Sequence, residues 1–404
     1  MNVLFLTHRL PYAPNRGDRI RAYHLLRHLS TFADVSLFSL VHDDEEAAKA
    51  EKMPFARHVS TARVTPFWNR VRALKALSTK RPLTHVLLDS PDAVRTLVDA
   101  VHAHPPDVVL AYCSSMVKWA MQAPLRPLPF VLDMVDVDSE KWRELSIRSS
   151  WPRKWIYRRE AATLSAFEAQ AARQACATLV INEREAALMR RLAPDADVRV
   201  VPAGIDTDSY AKPAHLPDGP FDAGTPGGAT VIFCGVMSYE PNVEGVLWFA
   251  TRVWPVVRRS RPDARFVIVG TDPISRVRDL ARADSSIVVT GSVDRVQPYL
   301  WRADVSIAPL QVARGFQTKV VEALAAGLPV VATRAVVDGL PVELLPGCQE
   351  AETETEFAEH LVDLLAMTAE DRRTLAARAR LEGLGWDQQL APLQDILTRA
   401  SRRG

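Results

Sequence analysis

Apolar and polar positions follow two periods along this chain. Short, nearly continuous apolar runs recur at 3–6, 35–41, 59–64, 107–111, 130–133, 178–181 and 198–201. They recur again at 230–234, 266–269, 287–290, 304–308 and 328–332. Runs of this kind suit strands buried on both faces of a parallel sheet. Between them apolar residues return at three- and four-residue spacing, as in Ile20, Tyr23, Leu26 and Leu29, or Val243, Val246, Leu247 and Ala250, which predicts helices. Further helices are expected at 43–50, 91–102 and 183–192, in a long stretch ending near 175, and at 355–366, 369–381 and 387–399. Residues 206–228 interrupt the alternation with Pro213, Pro217, Pro220, Gly224, Pro226, Gly227 and Gly228, and the βα pattern then restarts. The expectation is an α/β protein of two parallel-sheet domains, 1–205 and 229–384, joined by the 206–228 linker. A C-terminal helix at 385–404 is free to cross back. Ligands of such sheets lie outside the carboxyl ends of the strands, so two such domains facing each other predict a ligand cleft between them.

The stretch 304–333 carries the most chemistry. It reads as strand, glycine loop, helix, glycine stop and strand. Val320, Val321, Leu324 and Ala325 form the helix's apolar face, and Gly327 and Pro329 end it. A helix start offers free N–H groups and the positive end of the dipole to a phosphate. Lys319 in the first turn adds a full charge, and Glu322 lies three residues on, where a carboxylate can accept from the two hydroxyls of a ribose. Together they describe a nucleoside-diphosphate site. The plain alternative is an exposed ion pair worth a few tenths of a kcal/mol.

In the first half, Gly17 between the first strand and helix allows close backbone approach by a ligand, with Arg19 and Arg21 flanking it. A plain strand-to-helix turn with surface arginines is the alternative. The run from Asp133 to Trp142 places Asp136 and Asp138 at a strand end. One suits a base or electrostatic partner, the other a structural group, with Ser139 as a helix cap. Two stretches, 67–77 and 141–159, are basic and aromatic. They suit an anionic membrane surface or an acceptor. For 67–77, a helix that covers its own core with its arginines in solvent is the favoured reading.

Composition narrows the classes. A net charge of +2 argues against nucleic acid as the main partner. Cys113, Cys176, Cys234 and Cys348 are far apart, form no disulfide or zinc spacing, and suit a reducing cytoplasm. No apolar run approaches a membrane span, and the opening run is too short for a signal-peptide core. No acidic spacing defines a metal site.

With these pieces placed, the chain resembles the two-domain GT-B glycosyltransferases, in particular the large retaining family numbered four. The carriers are Leu10-Pro-Tyr-Ala-Pro-Asn-Arg-Gly-Asp-Arg-Ile-Arg-Ala-Tyr-His24, Val201-Pro-Ala-Gly-Ile-Asp206, Phe233-Cys-Gly235, Val269-Gly270, Thr290-Gly-Ser-Val293 and Gly315-Phe-Gln-Thr-Lys-Val-Val-Glu-Ala-Leu-Ala-Ala-Gly327. More narrowly, Asp133-Met-Val-Asp-Val-Asp-Ser-Glu-Lys-Trp142 with Gly315-Phe-Gln-Thr-Lys319 resembles the exopolysaccharide-associated sugar transferases found beside PEP-CTERM sorting systems.

The resemblance implies two Rossmann-like domains and a nucleotide-diphosphate sugar donor held mainly by the second domain. It implies no cofactor, no essential metal and transfer with retention. Donor contacts would come from Gly17, Gly235, Gly291, Val293, Gly315, Phe316, Gln317, Thr318, Lys319 and Glu322. Glu322 matches the second glutamate of the family's Glu-x7-Glu motif, and Arg314 stands where the first is expected. Met237 and Asn242 stand where the family commonly carries an Arg and a Lys for the diphosphate. Lys319, Arg314 and the amides around Gly315 would then supply the compensating charge. Asp136 is the polar group expected near the anomeric carbon, with Arg19, Arg21 and Asp138 on the acceptor side. A glycan or lipid-linked acceptor at the inner face of the cell membrane is the expected partner. Alternatives on the same architecture are a nucleotide-sugar 2-epimerase and a non-catalytic nucleotide-sugar-binding component. A nicotinamide dehydrogenase is disfavoured because the first turn lacks three spaced glycines.

Overall fold

The computed structural model describes residues 1–13, 17–216, 228–313 and 317–403. The chain divides into two units, Met1–Gly204 with Trp386–Gly404, and Ile205–Gly385. Each is built on one parallel sheet, as the apolar runs predict.

In the first unit the strands are β1 (Asn2–Thr7), β2 (Asp34–Val41), β3 (His58–Arg63), β4 (Val108–Tyr112), β5 (Phe130–Val135), β6 (Ala177–Val180) and β7 (Val198–Val200), in the order β3-β2-β1-β4-β5-β6-β7. Every pairing is parallel, with Val3 opposite Val35 on one side and Val108 on the other. Both faces are buried, which explains the continuous rather than alternating apolar runs. Val3 and Phe5 pack with Leu25, Leu26 and Leu29, and with Trp386, Leu390, Leu393 and Leu397 of the returning segment. Leu4 and Leu6 pack on the other face with Phe38, Val109, Met116 and Leu132. The return of the segment after 385 is fixed at one tight point. A Cβ on Gly204 would lie 2.3 Å from the Trp386 Cα, so only glycine fits there.

In the second unit β8 (Thr230–Cys234), β9 (Arg265–Val269), β10 (Ile287–Gly291), β11 (Val305–Ala308), β12 (Val330–Thr333) and β13 (Cys348–Ala351) run in the order β10-β9-β8-β11-β12-β13. Phe233, Phe249, Trp254, Phe266 and Phe357 form its aromatic centre. β13 and the helices Ser114–Ala120 and Ser275–Ala283 were not anticipated by the periodicity.

Both sheets reverse their winding direction once, between β1 and β4 and between β8 and β11. Loops at the carboxyl ends of such a pair diverge and leave a crevice, the usual ligand position in doubly wound sheets. Most of the linker predicted at 206–228 lies outside the described residues, as do Asn15 and Arg16 of the predicted first turn. The described part of the linker opens with a short helix, Thr207–Tyr210.

Candidate functional site

The crevice of the second unit gathers its chemistry from β8, from the helix Glu240–Trp248 and from the helix Thr318–Ala325. The turn after β8 is made by close backbone approach. A Cβ on Gly270 would lie 1.6 Å from the Gly235 carbonyl oxygen, so the strand ends can approach this closely only with glycine at 270. Asn242 is buried in the first turn of its helix. Its Nδ2 donates to the Val236 carbonyl at 3.0 Å, which locks its oxygen toward Lys319. Lys319 donates from Nζ to that oxygen at 2.7 Å and lies 4.6 Å from the centre of the Phe233 ring. Burial lowers the Lys319 pKa to about 8, opposed by Cys234 and Glu322.

Glu322 accepts a hydrogen bond from the Tyr210 hydroxyl. Burial raises the Glu322 pKa, and the Tyr210 bond and Lys319 oppose the rise. Tyr210 is fastened in turn, since its carbonyl accepts from Trp301 Nε1 at 2.7 Å. Burial and Glu322 push the tyrosine's own pKa upward. Lys319 and Glu322 are therefore half-buried groups held by separate partners, not an exposed ion pair. The Thr318–Ala325 helix has no side-chain cap at Gln317, while Thr318 is exposed beside it. Gly291 has φ +73° with open space where a side chain would stand, and Val293 is half-buried against the core. Met237, at the position where the resemblance implies a cation, is fully buried and part of the core. Arg314, Gly315 and Phe316 lie outside the described residues.

The first unit commits most of its predicted site residues to structure. Arg21, expected on the acceptor side, is buried in its own domain. Its Nε and guanidinium grip Asp133, with a closest approach of 2.9 Å, and it donates to the Val201 and Pro202 carbonyls at 2.9 Å each. Arg19 donates to Tyr12 at 2.8 Å and to Glu46 at 3.1 Å, and Glu46 also accepts from the Leu10 amide, so Arg19 fixes the loop after β1. Neither is the surface arginine of the plainer reading. Gly17 opens the helix Gly17–Leu29.

At the carboxyl ends of β4 and β5, Cys113 (φ +73°) and Val135 (φ +67°) adopt left-handed backbone that disfavours non-glycine residues. Such strain persists where the surroundings over-determine it, often at ligand sites. Asp136 follows directly and opens to solvent. Enough protein surrounds its carboxyl that desolvation leads the causes raising its pKa to about 6, with Glu185 and Asp138 adding to it. Asp138 accepts from Ser114 Oγ at 2.9 Å, and burial raises its pKa. Ser139 is not the cap that its position suggests. The N-cap is Val137, and Ser139 bonds through Oγ and amide to Glu168 on the neighbouring helix, a carboxyl that burial raises to about 7.

The helix Pro66–Ala76 meets its expectation in part, with Arg70, Arg72 and Lys75 in solvent. It turns Asn69 and Ala76 inward and leaves Phe67, Trp68 and Leu74 exposed at 61–70%. It therefore does not cover the core with its aromatic residues. Sequence reasoning missed Tyr210, which no local pattern links to Glu322. It also missed His8, which stacks on Tyr112 where β1 and β4 diverge. Among the described residues no helix is long and apolar enough to cross a membrane.

Comparison with known proteins places this geometry. The two parallel sheets are those of the GT-B fold. A family profile described as "Glycosyl transferases group 1" matches residues 228–367, wholly within the second unit. The phosphatidyl-myo-inositol mannosyltransferase of Mycobacterium tuberculosis H37Rv is 32% identical over 160 residues, covering 37% of this chain and 40% of the relative. The chain thus spans about two fifths of the length of the curated relatives it matches. Among solved structures, sucrose-phosphate synthase from Thermosynechococcus elongatus aligns over 100% of both chains with TM-score 0.69 and 17% identity. Anabaena HepE in complex with UDP and glucose aligns over 98% of this chain and 99% of its own with TM-score 0.61 and 16% identity.

Proposed function

We propose that this chain is a glycosyltransferase that takes a sugar from a nucleotide-diphosphate donor and passes it, with retention, to a glycan or lipid-linked acceptor. The single observation that carries the reading is the pair Lys319 and Glu322. They lie three residues apart at the start of a helix at the sheet's switch point, and each is held by its own partner. A diphosphate at that helix start would meet the Lys319 charge and free amides, while the ribose hydroxyls would meet Glu322. As the diphosphate departs, negative charge builds on it, and fixed donors stabilise that charge without reorganising. Losing one such donor costs on the order of 3 kcal/mol in comparable sites. Asp136 would act on the acceptor side, near the anomeric carbon. Independence from metal is part of the proposal. So is a place in exopolysaccharide assembly at the inner face of the cell membrane, which the 133–142 resemblance and the exposed aromatic residues support.

The test is donor consumption. Purified protein is incubated with UDP-, GDP-, ADP- and TDP-sugars in EDTA, and free nucleoside diphosphate is followed. Release from one donor, lost in Glu322→Ala and Lys319→Ala, is the expected result. Scrambled donor stereochemistry without an acceptor would indicate an epimerase. Nucleotide binding with no turnover across a panel of glycan and lipid-linked acceptors would indicate a binding component.

A further inference from the structure

The helices Asp138–Arg148, Arg153–Gln174 and Glu183–Leu192 enclose a cavity of about 590 Å³ that the donor chemistry does not use. Ile147, Leu188 and Leu192 supply apolar wall. Arg143, Lys154, Arg158 and Arg191 line it as well, together with Glu140, whose carboxylate pairs with Arg143, and Lys154, Arg158 and Arg191 have no ion pair among the described residues. Cations gathered on one concave surface repel one another, and an anion bound among them relieves that repulsion.

The chain beside the lining residues Ile147 and Lys154 is as unusual as the interior. Trp151 is 82% exposed, Ile147 73% and Trp155 52%, so these side chains serve no core. Exposed tryptophan beside unpaired cations matches the chemistry of a bilayer interface, where the indole is half wet and the cations meet lipid phosphates. The patch is also fastened to a second one. Arg159 donates to the Ala76 and Leu77 carbonyls at the end of the Pro66–Ala76 helix, and Glu160 accepts from the Leu83 and Thr84 amides just beyond it. The helix so tied exposes Phe67, Trp68 and Leu74.

We infer that the cavity receives the headgroup phosphate of an anionic phospholipid and docks the first unit on a bilayer. The phosphate would lie among Lys154, Arg158 and Arg191, with the acyl chain leaving past Ile147 and the two tryptophans in the interface. A neutral glycan can stack on the tryptophans but leaves the three cations unmet, and a purely apolar partner leaves them unmet too. The inference rests on the membrane-face placement proposed above. It is read without donor, so its failure is separable from failure of the transferase reading.

The experiment is flotation of the full chain with phosphatidylcholine vesicles, with and without phosphatidylglycerol, and with undecaprenyl phosphate in its place. Binding to phosphatidylglycerol vesicles and not to phosphatidylcholine alone is expected. Lys154→Gln with Arg158→Gln should reduce it roughly 20-fold. Trp151→Ser should reduce it as well, and Arg70→Gln with Lys75→Gln should reduce it less. Unchanged thermal melting of each variant shows that folding is intact. The inference is overturned by equal binding to phosphatidylcholine, by full retention in the Lys154/Arg158 variant, or by capture only where undecaprenyl phosphate is present. Loss confined to the Arg70/Lys75 variant would overturn it too.

Discussion

The Lys319 ammonium is fastened to the Asn242 amide oxygen at 2.7 Å, and the same amide donates to the Val236 carbonyl at 3.0 Å. One side chain thus ties the helix after β11 to the turn after β8, the two elements that flank the switch point. Asn242→Ala removes the anchor and leaves the cation unplaced. Since a hydrogen bond to a charged group contributes about 1.5–3 kcal/mol, nucleoside-diphosphate affinity should fall by roughly tenfold or more. Isothermal titration calorimetry reads this directly, and unchanged affinity would remove Asn242 from the site.

Burial brings the Lys319 pKa to about 8, and only the protonated form attracts a diphosphate. Affinity should therefore be steady well below pH 8 and weaken as pH rises through it. A bound anion favours the charged lysine, so protons should be taken up on binding near pH 8. Titrations in two buffers of different ionisation enthalpy measure that uptake. Lys319→Arg should abolish both effects, because a guanidinium does not titrate in this range.

Tyr210 donates to Glu322 while leaving that carboxylate other acceptor positions for a ribose. Tyr210→Phe keeps the ring and removes the bond. Glu322 then titrates at higher pH, and donor affinity on the acid side should fall by about tenfold, the lower end of what a hydrogen bond to a charged group contributes. The shift of the acid limb of a binding-versus-pH curve separates this from simple loss of packing.

Asp136 titrates near 6, raised first by desolvation and then by Glu185 and Asp138. If the carboxylate form serves the reaction, turnover falls as pH drops below about 6. Asp136→Asn should lose roughly a hundredfold or more in kcat, the usual range for a positioned base. Near-normal turnover would return Asp136 to a structural role.

Arg21 and Asp133 form a buried pair that stitches the helix Gly17–Leu29 to the end of β5. Asp133→Ala leaves a buried guanidinium without its counter-charge, which typically costs 3–5 kcal/mol. Denaturant unfolding should show about that loss in stability. A cost under 1 kcal/mol would mean that the Val201 and Pro202 carbonyls suffice for Arg21.

The strands were legible because both faces of each sheet are buried, which writes them as unbroken apolar runs. β13 was not, since Cys348–Ala351 is an edge strand with only Ala351 fully buried. The Thr318–Ala325 helix and its Lys319 and Glu322 were legible from local spacing alone. Their partners were not. Tyr210 meets Glu322 across 112 positions of sequence, and Arg21 meets Asp133 across the same distance. Only the fold brings such residues together. The arginines at 19 and 21 show the converse error: charge near a turn reads as surface, yet a guanidinium with enough carbonyls and carboxylates around it can be buried.

The segment that returns after residue 385 also sets an order of assembly. Trp386, Leu390, Leu393 and Leu397 belong to the same core as Val3 and Phe5, but they are synthesised only after all of 205–385. During translation the second unit can close on itself, while the first stays open along one face until its last helix emerges. A stop codon near residue 385 would thus spare the unit just finished and cripple the one begun first.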